Sequence, residues 1–326
     1  MSYQQKYIPK PLFIERMKML LESESDFQNY MEILEKPIAN AIRCNTLKIN
    51  ADELKKRLEK KGWKIKQPFK NYPEIMLIEN QLEPGELGKA MEHLLGYYYV
   101  QEISSMLSII ALSPKSSDIM LDLCAAPGSK TSQAAAFMEN SGTIVANDKD
   151  IIRISILATN LERCGASNVI ITRHDGVILC EKLKKLGMKF DKILLDVPCS
   201  GEGTIRSSPK TFLMWNLKMI EKLGRLQKKL SASAISLLKN GGELVYSTCT
   251  HAPEENEAVI HFLLENFPLK IQEIKLPLKC RKGITSWKGE KFNDELKKAC
   301  RIYPHDNDTE GFFIAKLKKV EEGGIK

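Results

Sequence analysis

Apolar positions recur along this chain with two different rhythms. Near the start, "PLFIERMKMLL" and "DFQNYMEILEKP" carry apolar residues at helical spacing, and Pro37 ends the second run. "AIRCNTLKI" is rich in β-formers. "NADELKKRLEKKG" predicts a helix that starts at a capping Asn50 or Asp52 and stops at Gly62. "WKIKQ" and "EIMLIE" read as short strands. Residues 1–95 therefore predict a small α+β unit, with no catalytic constellation visible in it.

From about Gly96 the rhythm changes. "YYYVQEISSMLSIIAL" reads as a strand turning into an apolar helix. Short strands then alternate with helices. "DIMLDLC" precedes "SKTSQAAAFM", "GTIVANDKD" precedes "IRISILATNLERCG", and "NVIITRHDG" precedes "VILCEKLKKLG". "FDKILLDVP" leads through a Gly-rich loop to a long helix from about Trp215. "GGELVYSTC" precedes "PEENEAVIHFLLEN", and "LKIQEI" and "GFFIAKLKK" close the chain. This alternation predicts an α/β fold over residues 96–320 with a doubly wound, mostly parallel sheet. Such sheets bind ligands outside the carboxyl ends of their strands, near the point where strand order reverses.

Four of those strand ends carry acids or small residues. The first ends in "DLCAAPGSKT" (Asp122 to Thr131), a turn tight enough to bring backbone N–H groups to a ligand. It is not a phosphate-binding P-loop, because Ser129 and Cys124 occupy the two positions that need glycine. It is not a dinucleotide fingerprint either, since Gly128 is its single glycine. The second strand ends in Asp148, twenty residues after Gly128, where an acid can accept both ribose hydroxyls of an adenosine. The third ends before Asp175, placed to meet an adenine amino group, and the fourth ends in Asp196. Each acid alone is explained by helix capping. Four in register point to an adenosine ligand without a long phosphate tail, namely S-adenosylmethionine.

The composition narrows the class. Of 326 residues, 43% are hydrophobic, enough for a sizeable core, and no apolar run is long enough to span a bilayer. A soluble, cytoplasmic monomer is expected. The eight cysteines form no C-x-x-C pair, so no metal site is expected, and all eight are expected as free thiols, mostly buried. Two of them, Cys199 in "DVPCSGEGT" and Cys249 in "YSTCT", fall where adjacent strands leave the core. A buried structural thiol is the ordinary reading of a cysteine. Their shared position at the ligand end favours chemistry. A thiolate that adds to carbon 6 of a pyrimidine turns carbon 5 into a nucleophile able to take a methyl group.

The net charge of +8 is unevenly spread. Residues 206–229 hold seven basic residues against one acid, Glu221. Within them Lys218, Lys222, Arg225 and Lys229 recur at helical spacing, with Ile220, Leu223 and Leu230 free to face a core. The stripe fits a polyanion such as nucleic acid, or a solvated face.

Together, "LDLCAAPGSKTSQ", "NDKD", "DVPCSGEGT" and "VYSTCTHAPEENEAVI" resemble the motifs of the Nol–Nop–Sun RNA (cytosine-5) methyltransferases. "RCNTLK", "YYYVQEISSM" and "GFFIAKLKK" extend the resemblance from about residue 41 to 318. It implies a Rossmann-like sheet of seven strands, the last antiparallel, with an N-terminal RNA-binding unit, and S-adenosylmethionine as cofactor. It implies Cys249 as nucleophile, Cys199 as the thiol that assists release, and Asp196 as the acid at the base. Cys124, Ala125, Ala126, Pro127, Gly128, Ser129 and Lys130 match the cofactor loop, with Asp148, Asp175 and Arg153 as further contacts. Ser129 departs from the glycine common in the family. The resemblance further implies RNA as partner, tRNA before rRNA, and RNA contact by the basic stripe. A non-catalytic RNA-binding or assembly factor that kept the pocket is the alternative.

Overall fold

The computed structural model describes residues 7–321. The first unit is built on a four-stranded antiparallel sheet of β1 (Asn40–Cys44), β2 (Ile65–Lys66), β3 (Ile75–Ile78) and β4 (Tyr98–Val100), in the order β2-β3-β1-β4. The helix Ala51–Glu59 packs on it through Leu54 and Leu58, and Asn50 caps that helix by accepting from the Glu53 N–H. β4 lies beyond residue 96, where the sequence rhythm changes, yet it pairs with β1. Two earlier helices, Pro11–Leu20 and Glu24–Leu34, pack elsewhere. Their Phe13, Met17 and Tyr30 join Phe212, Trp215 and Tyr303 in a separate cluster.

The second sheet holds β5 (Ile119–Asp122), β6 (Thr143–Asp148), β7 (Val169–Arg173), β8 (Phe190–Asp196), β9 (Leu238–Thr248), β10 (Leu269–Gln272), β11 (Arg281–Lys282), β14 (Cys300–Ile302) and β15 (Phe312–Lys319); β12 (Ser286–Trp287) and β13 (Glu290–Lys291) form a separate hairpin. Strands β7, β6, β5, β8 and β9 run parallel in that order, and β15 joins β9 antiparallel. β10 pairs with one end of β15, completing the seven expected strands. The short β14 and β11 extend the sheet from the other half of β15. They went unread because two- and three-residue strands leave no period to detect.

Both faces of the parallel strands are covered, which explains their continuous apolar runs. On β8, Ile193 and Leu195 join one buried cluster and Leu194 the other; on β9, Leu244 and Tyr246 oppose Val245 in the same way. Strand order reverses between β5 and β8. The carboxyl ends of β5, β6, β8 and β9 therefore open at one end of the sheet, around that reversal.

One expectation fails outright. Cys280 and Cys300 are joined in a disulfide, so they are not free thiols. Antiparallel pairing of β11 with β14 sets Lys282 opposite Cys300 and brings the two cysteine Cα atoms to 5.2 Å. The remaining six are free, with Cys44, Cys164 and Cys180 buried. Among the described residues no helix is long and apolar enough to cross a membrane.

Candidate active site

The loop after β5 is shaped by its own backbone. The Ala125 N–H donates to the Asn147 carbonyl at 2.8 Å, and the Gly128 N–H donates to the Ala125 carbonyl at 2.8 Å. Gly128 adopts φ +102°, and a Cβ there would lie 3.0 Å from Leu157, so the turn needs glycine. Ser129 then begins the next helix without strain. At the foot of the loop, Thr131 donates to the buried Asp122 at 2.7 Å. The other oxygen of Asp122 is buried without a partner, and burial raises this carboxyl to about 7.

Asp148 ends β6 with 3% exposure and pairs with Arg153 at 3.1 Å. Arg153 also donates to the Ala126 carbonyl, so it ties the Asp148 acid to the loop. Asp175 is exposed, and one of its oxygens caps the helix Gly176–Lys185 through the Val177 and Ile178 N–H groups. A capping role and a ligand role use different lone pairs. A tight loop turning on Gly128, a buried acid and a second acid at successive strand ends are a donor and acceptor set that fits an adenosine without a phosphate tail.

Strands β8 and β9 bring the two thiols together. Cys199 Sγ and Cys249 Sγ lie 3.3 Å apart. Contact with Cys249, then burial, hold the Cys199 thiol well above its ordinary pKa, so it stays protonated. Beside them, Asp196 receives a hydrogen bond from Ser247 at 2.8 Å and pairs with Lys130 at 2.8 Å. Lys130 also donates to Ser105 at 2.8 Å and sits over the Phe312 ring at 5.4 Å. Lys130 was expected in the cofactor loop; its ammonium reaches across to the acid of the thiol site.

Cys249, Asp196, Lys130 and Phe312 line one cavity of about 350 Å³. Its far wall comes from residues 38–41 and 100–102, on and beside β1 and β4, and from Ser104 and Ser105 at the start of the helix Ile103–Leu112. Cys199 is not part of this lining.

Buried polar bonds fix the two thiol loops against each other. Glu202 accepts from Thr250 at 3.1 Å, from the His251 N–H at 3.2 Å and from Trp215 at 2.6 Å. Glu255 accepts from the Ser200 N–H at 3.0 Å and from Gln227 at 2.8 Å, and burial lifts this carboxyl to about 7. The Gly203 N–H donates to the Cys249 carbonyl at 2.9 Å, and the Gly311 N–H to the Gly203 carbonyl at 2.8 Å. A Cβ on Gly203 would stand 2.2 Å from the Gly311 oxygen, so three segments meet backbone to backbone.

Sequence reasoning missed the groups that come from far along the chain. Arg43 on β1 is buried and donates to Gln101, to the Ser129 carbonyl at 2.7 Å and to Ser132 at 2.8 Å. It joins the first sheet to the helix Ser129–Phe137. A charged residue inside the apolar "AIRC" was the available signal. Glu102 and Glu310 also line the cavity; burial raises Glu310 to about 7. The stripe residues Lys218, Lys222, Arg225 and Lys229 are all exposed on the helix Leu217–Ile235, with Ile220 and Leu230 buried beneath. Arg206, counted in the same basic stretch, is buried against Asp308 and the carbonyls of Lys36, Pro37 and Thr309.

Comparison with known proteins identifies the family. Residues 109–318 match the family described as 16S rRNA methyltransferase RsmB/F, and residues 8–103 match the N-terminal domain of 16S rRNA methyltransferase RsmF. The chain is 42% identical over 321 residues to a tRNA (cytosine(49)-C(5))-methyltransferase of Pyrococcus abyssi, covering 98% of this chain and 99% of that one. It is 38% identical to the ribosomal RNA small subunit methyltransferase F of Psychromonas ingrahamii, covering 95% of this chain and 63% of that longer protein. Among solved structures, a methyltransferase homolog from Pyrococcus horikoshii superposes with a TM-score of 0.82 at 38% identity, over 95% of both chains. NSun6 from the same organism, solved with SFG, superposes at 0.81 and 28% identity, over 96% of this chain and 99% of that one. The chain belongs to the RsmB/F family and is an S-adenosylmethionine-dependent RNA (cytosine-5) methyltransferase.

Proposed function

We propose that this protein methylates carbon 5 of a cytosine in tRNA, with Cys249 as nucleophile and Cys199 as the thiol that assists release. The observation that carries the division of labour is that Cys249 lines the 350 Å³ cavity while Cys199 stands 3.3 Å behind it. The target base must leave its stack to enter such a cavity.

Cys249, as thiolate, adds to carbon 6, and the electron pair moves to make carbon 5 nucleophilic. Residues 124–130 with Asp148, Asp175 and Arg153 would hold S-adenosylmethionine, whose sulfonium–methyl bond would break as carbon 5 takes the methyl group, leaving the neutral thioether S-adenosylhomocysteine. Asp196, fixed by Ser247 and Lys130, holds the polar edge of the ring and favours its protonated form during attack. Solvent water takes the proton from carbon 5, the electron pair of that C–H bond re-forms the 5,6 double bond, and the carbon–sulfur bond breaks with its pair leaving on the Cys249 thiolate. Cys199 lies in contact with that departing sulfur, and its protonated thiol is placed to assist its release.

The tRNA preference rests on the Pyrococcus abyssi relative, which this chain matches from end to end. Small-subunit rRNA is the second reading, favoured by the descriptions of both matching families. Incubation with methyl-labelled cofactor and either tRNA or small-subunit rRNA separates the two, with label expected in tRNA cytosine. Cys249→Ala abolishes turnover and adduct, and Cys199→Ser accumulates a covalent protein–RNA band on a denaturing gel. A band formed by Cys249→Ala would reverse the roles.

A further inference from the structure

Leu213 and Met214 are 64% and 67% exposed, although both neighbours in sequence are buried. They form the tip of a short helix, Thr211–Met214. Phe212 and Trp215 on either side pack against Phe13, with ring centroids 5.2 and 5.6 Å apart. Lys10 donates to the carbonyls of Leu213 at 3.2 Å and Trp215 at 2.5 Å. The two apolar side chains are thus held outward on a braced turn.

The chain on both sides of this tip is basic. Lys210 precedes it and the exposed stripe Lys218, Lys222, Arg225 and Lys229 follows it. The tip is also coupled to the chemistry. Trp215 is anchored by Glu202, the same carboxylate that holds Thr250 and His251 beside Cys249. Ser207, six residues before Leu213, lines the Cys249 cavity.

An exposed apolar pair followed by a basic helix face matches a ligand with flat apolar faces on an anionic backbone. Nucleic acid bases and phosphates are that ligand, and apolar wedges of Leu and Met enter stacks where bases are displaced. We propose that Leu213 and Met214 form a wedge that contacts the RNA stack beside the extruded cytosine. This rests on the proposal above that the chain methylates an RNA cytosine through extrusion into the Cys249 cavity. The wedge offsets part of the unstacking cost, which a cytosine already unpaired does not incur in full.

The test uses the full chain, the RNA that the wild-type protein methylates, and a second version of that RNA with the target cytosine unpaired. With the double variant Leu213→Ser, Met214→Ser, kcat/KM on the paired RNA falls about tenfold and on the unpaired RNA less than about twofold, the scale set by a fraction of the unstacking cost. Leu213→Phe, which keeps an apolar face, retains the activity on both. 2-Aminopurine next to the target brightens on wild-type binding and stays quenched with the double variant. Equal losses on both RNAs, or no loss on either with wild-type activity intact, would overturn the wedge alone. A wild type that methylates no RNA removes the functional proposal beneath it as well.

Discussion

Glu255 offers a direct measure of how the thiol loops are held. Its carboxyl is buried, accepts from the Ser200 N–H and from Gln227, and titrates at about 7 instead of 4.5 because burial disfavours the charge. A carboxyl whose folded pKa lies above its unfolded one binds its proton more tightly in the folded chain. Its stabilisation is complete below about pH 4.5 and is lost as pH rises through 7. At ~1.4 kcal/mol per pKa unit, the difference across this window is about 3 kcal/mol, an upper figure for one group.

Glu255→Gln removes the titration while keeping the side-chain shape and one acceptor oxygen. Asp122 and Glu310 also sit at about 7 and titrate in the same window, so the difference between the two proteins is the quantity to read. Thermal unfolding followed by circular dichroism from pH 4.5 to 8.5 provides it. Wild type loses stability across the range, and Glu255→Gln loses less. The gap in melting temperature shifts in favour of the variant by up to about 6 °C, at about 2 °C per kcal/mol for a chain of this size. Parallel profiles for the two proteins would refute the buried, proton-holding carboxyl.

Two further outcomes follow from the interfaces around the cavity. Arg43→Met removes the donors to the Ser129 carbonyl and Ser132, each charged hydrogen bond being worth about 1.5–3 kcal/mol, and weakens S-adenosylhomocysteine binding by calorimetry at least about tenfold. Unchanged affinity would confine Arg43 to a structural role. Lys222→Glu with Arg225→Glu weakens RNA binding and flattens its salt dependence, by about one unit of slope for each phosphate contact removed; unchanged affinity in a filter-binding titration would return the stripe to a solvated face.

The strand-end acids and the paired thiols were legible because each is decided locally. A parallel strand exposes its carboxyl end at a fixed side, so Asp148, Asp196 and Cys249 are placed once the strands are recognised. Sequence pattern alone does not say which lone pair an acid spends where, and Asp175 caps a helix besides standing at the ligand end. Nor does charge distinguish Lys218, which faces solvent, from Arg206, which is neutralised by carbonyls and Asp308 from distant segments. The Cys280–Cys300 disulfide depends on pairing of two strands too short to show a period.

The largest illegible feature is the contribution of the N-terminal sheet. Its residues carry no recognisable chemistry, yet residues 38–41 and 100–102 form a wall of the Cys249 cavity. Arg43 reaches from β1 to the first turn of the helix Ser129–Phe137, across 86 residues of sequence. Asn45 bonds the Gly96 and Cys164 carbonyls, and Lys48 the Leu95 and Arg163 carbonyls, which fasten the same sheet to the helix Ile151–Cys164 behind Asp148. A thiolate attack on a pyrimidine needs the ring held still and water kept away, and a sheet fastened both to the helix Ser129–Phe137 and to the end of the helix Ile151–Cys164 gives the cavity a fixed wall on that side. The N-terminal unit therefore walls the cavity that holds Cys249, and its Arg43 ties that wall to the start of the helix Ser129–Phe137.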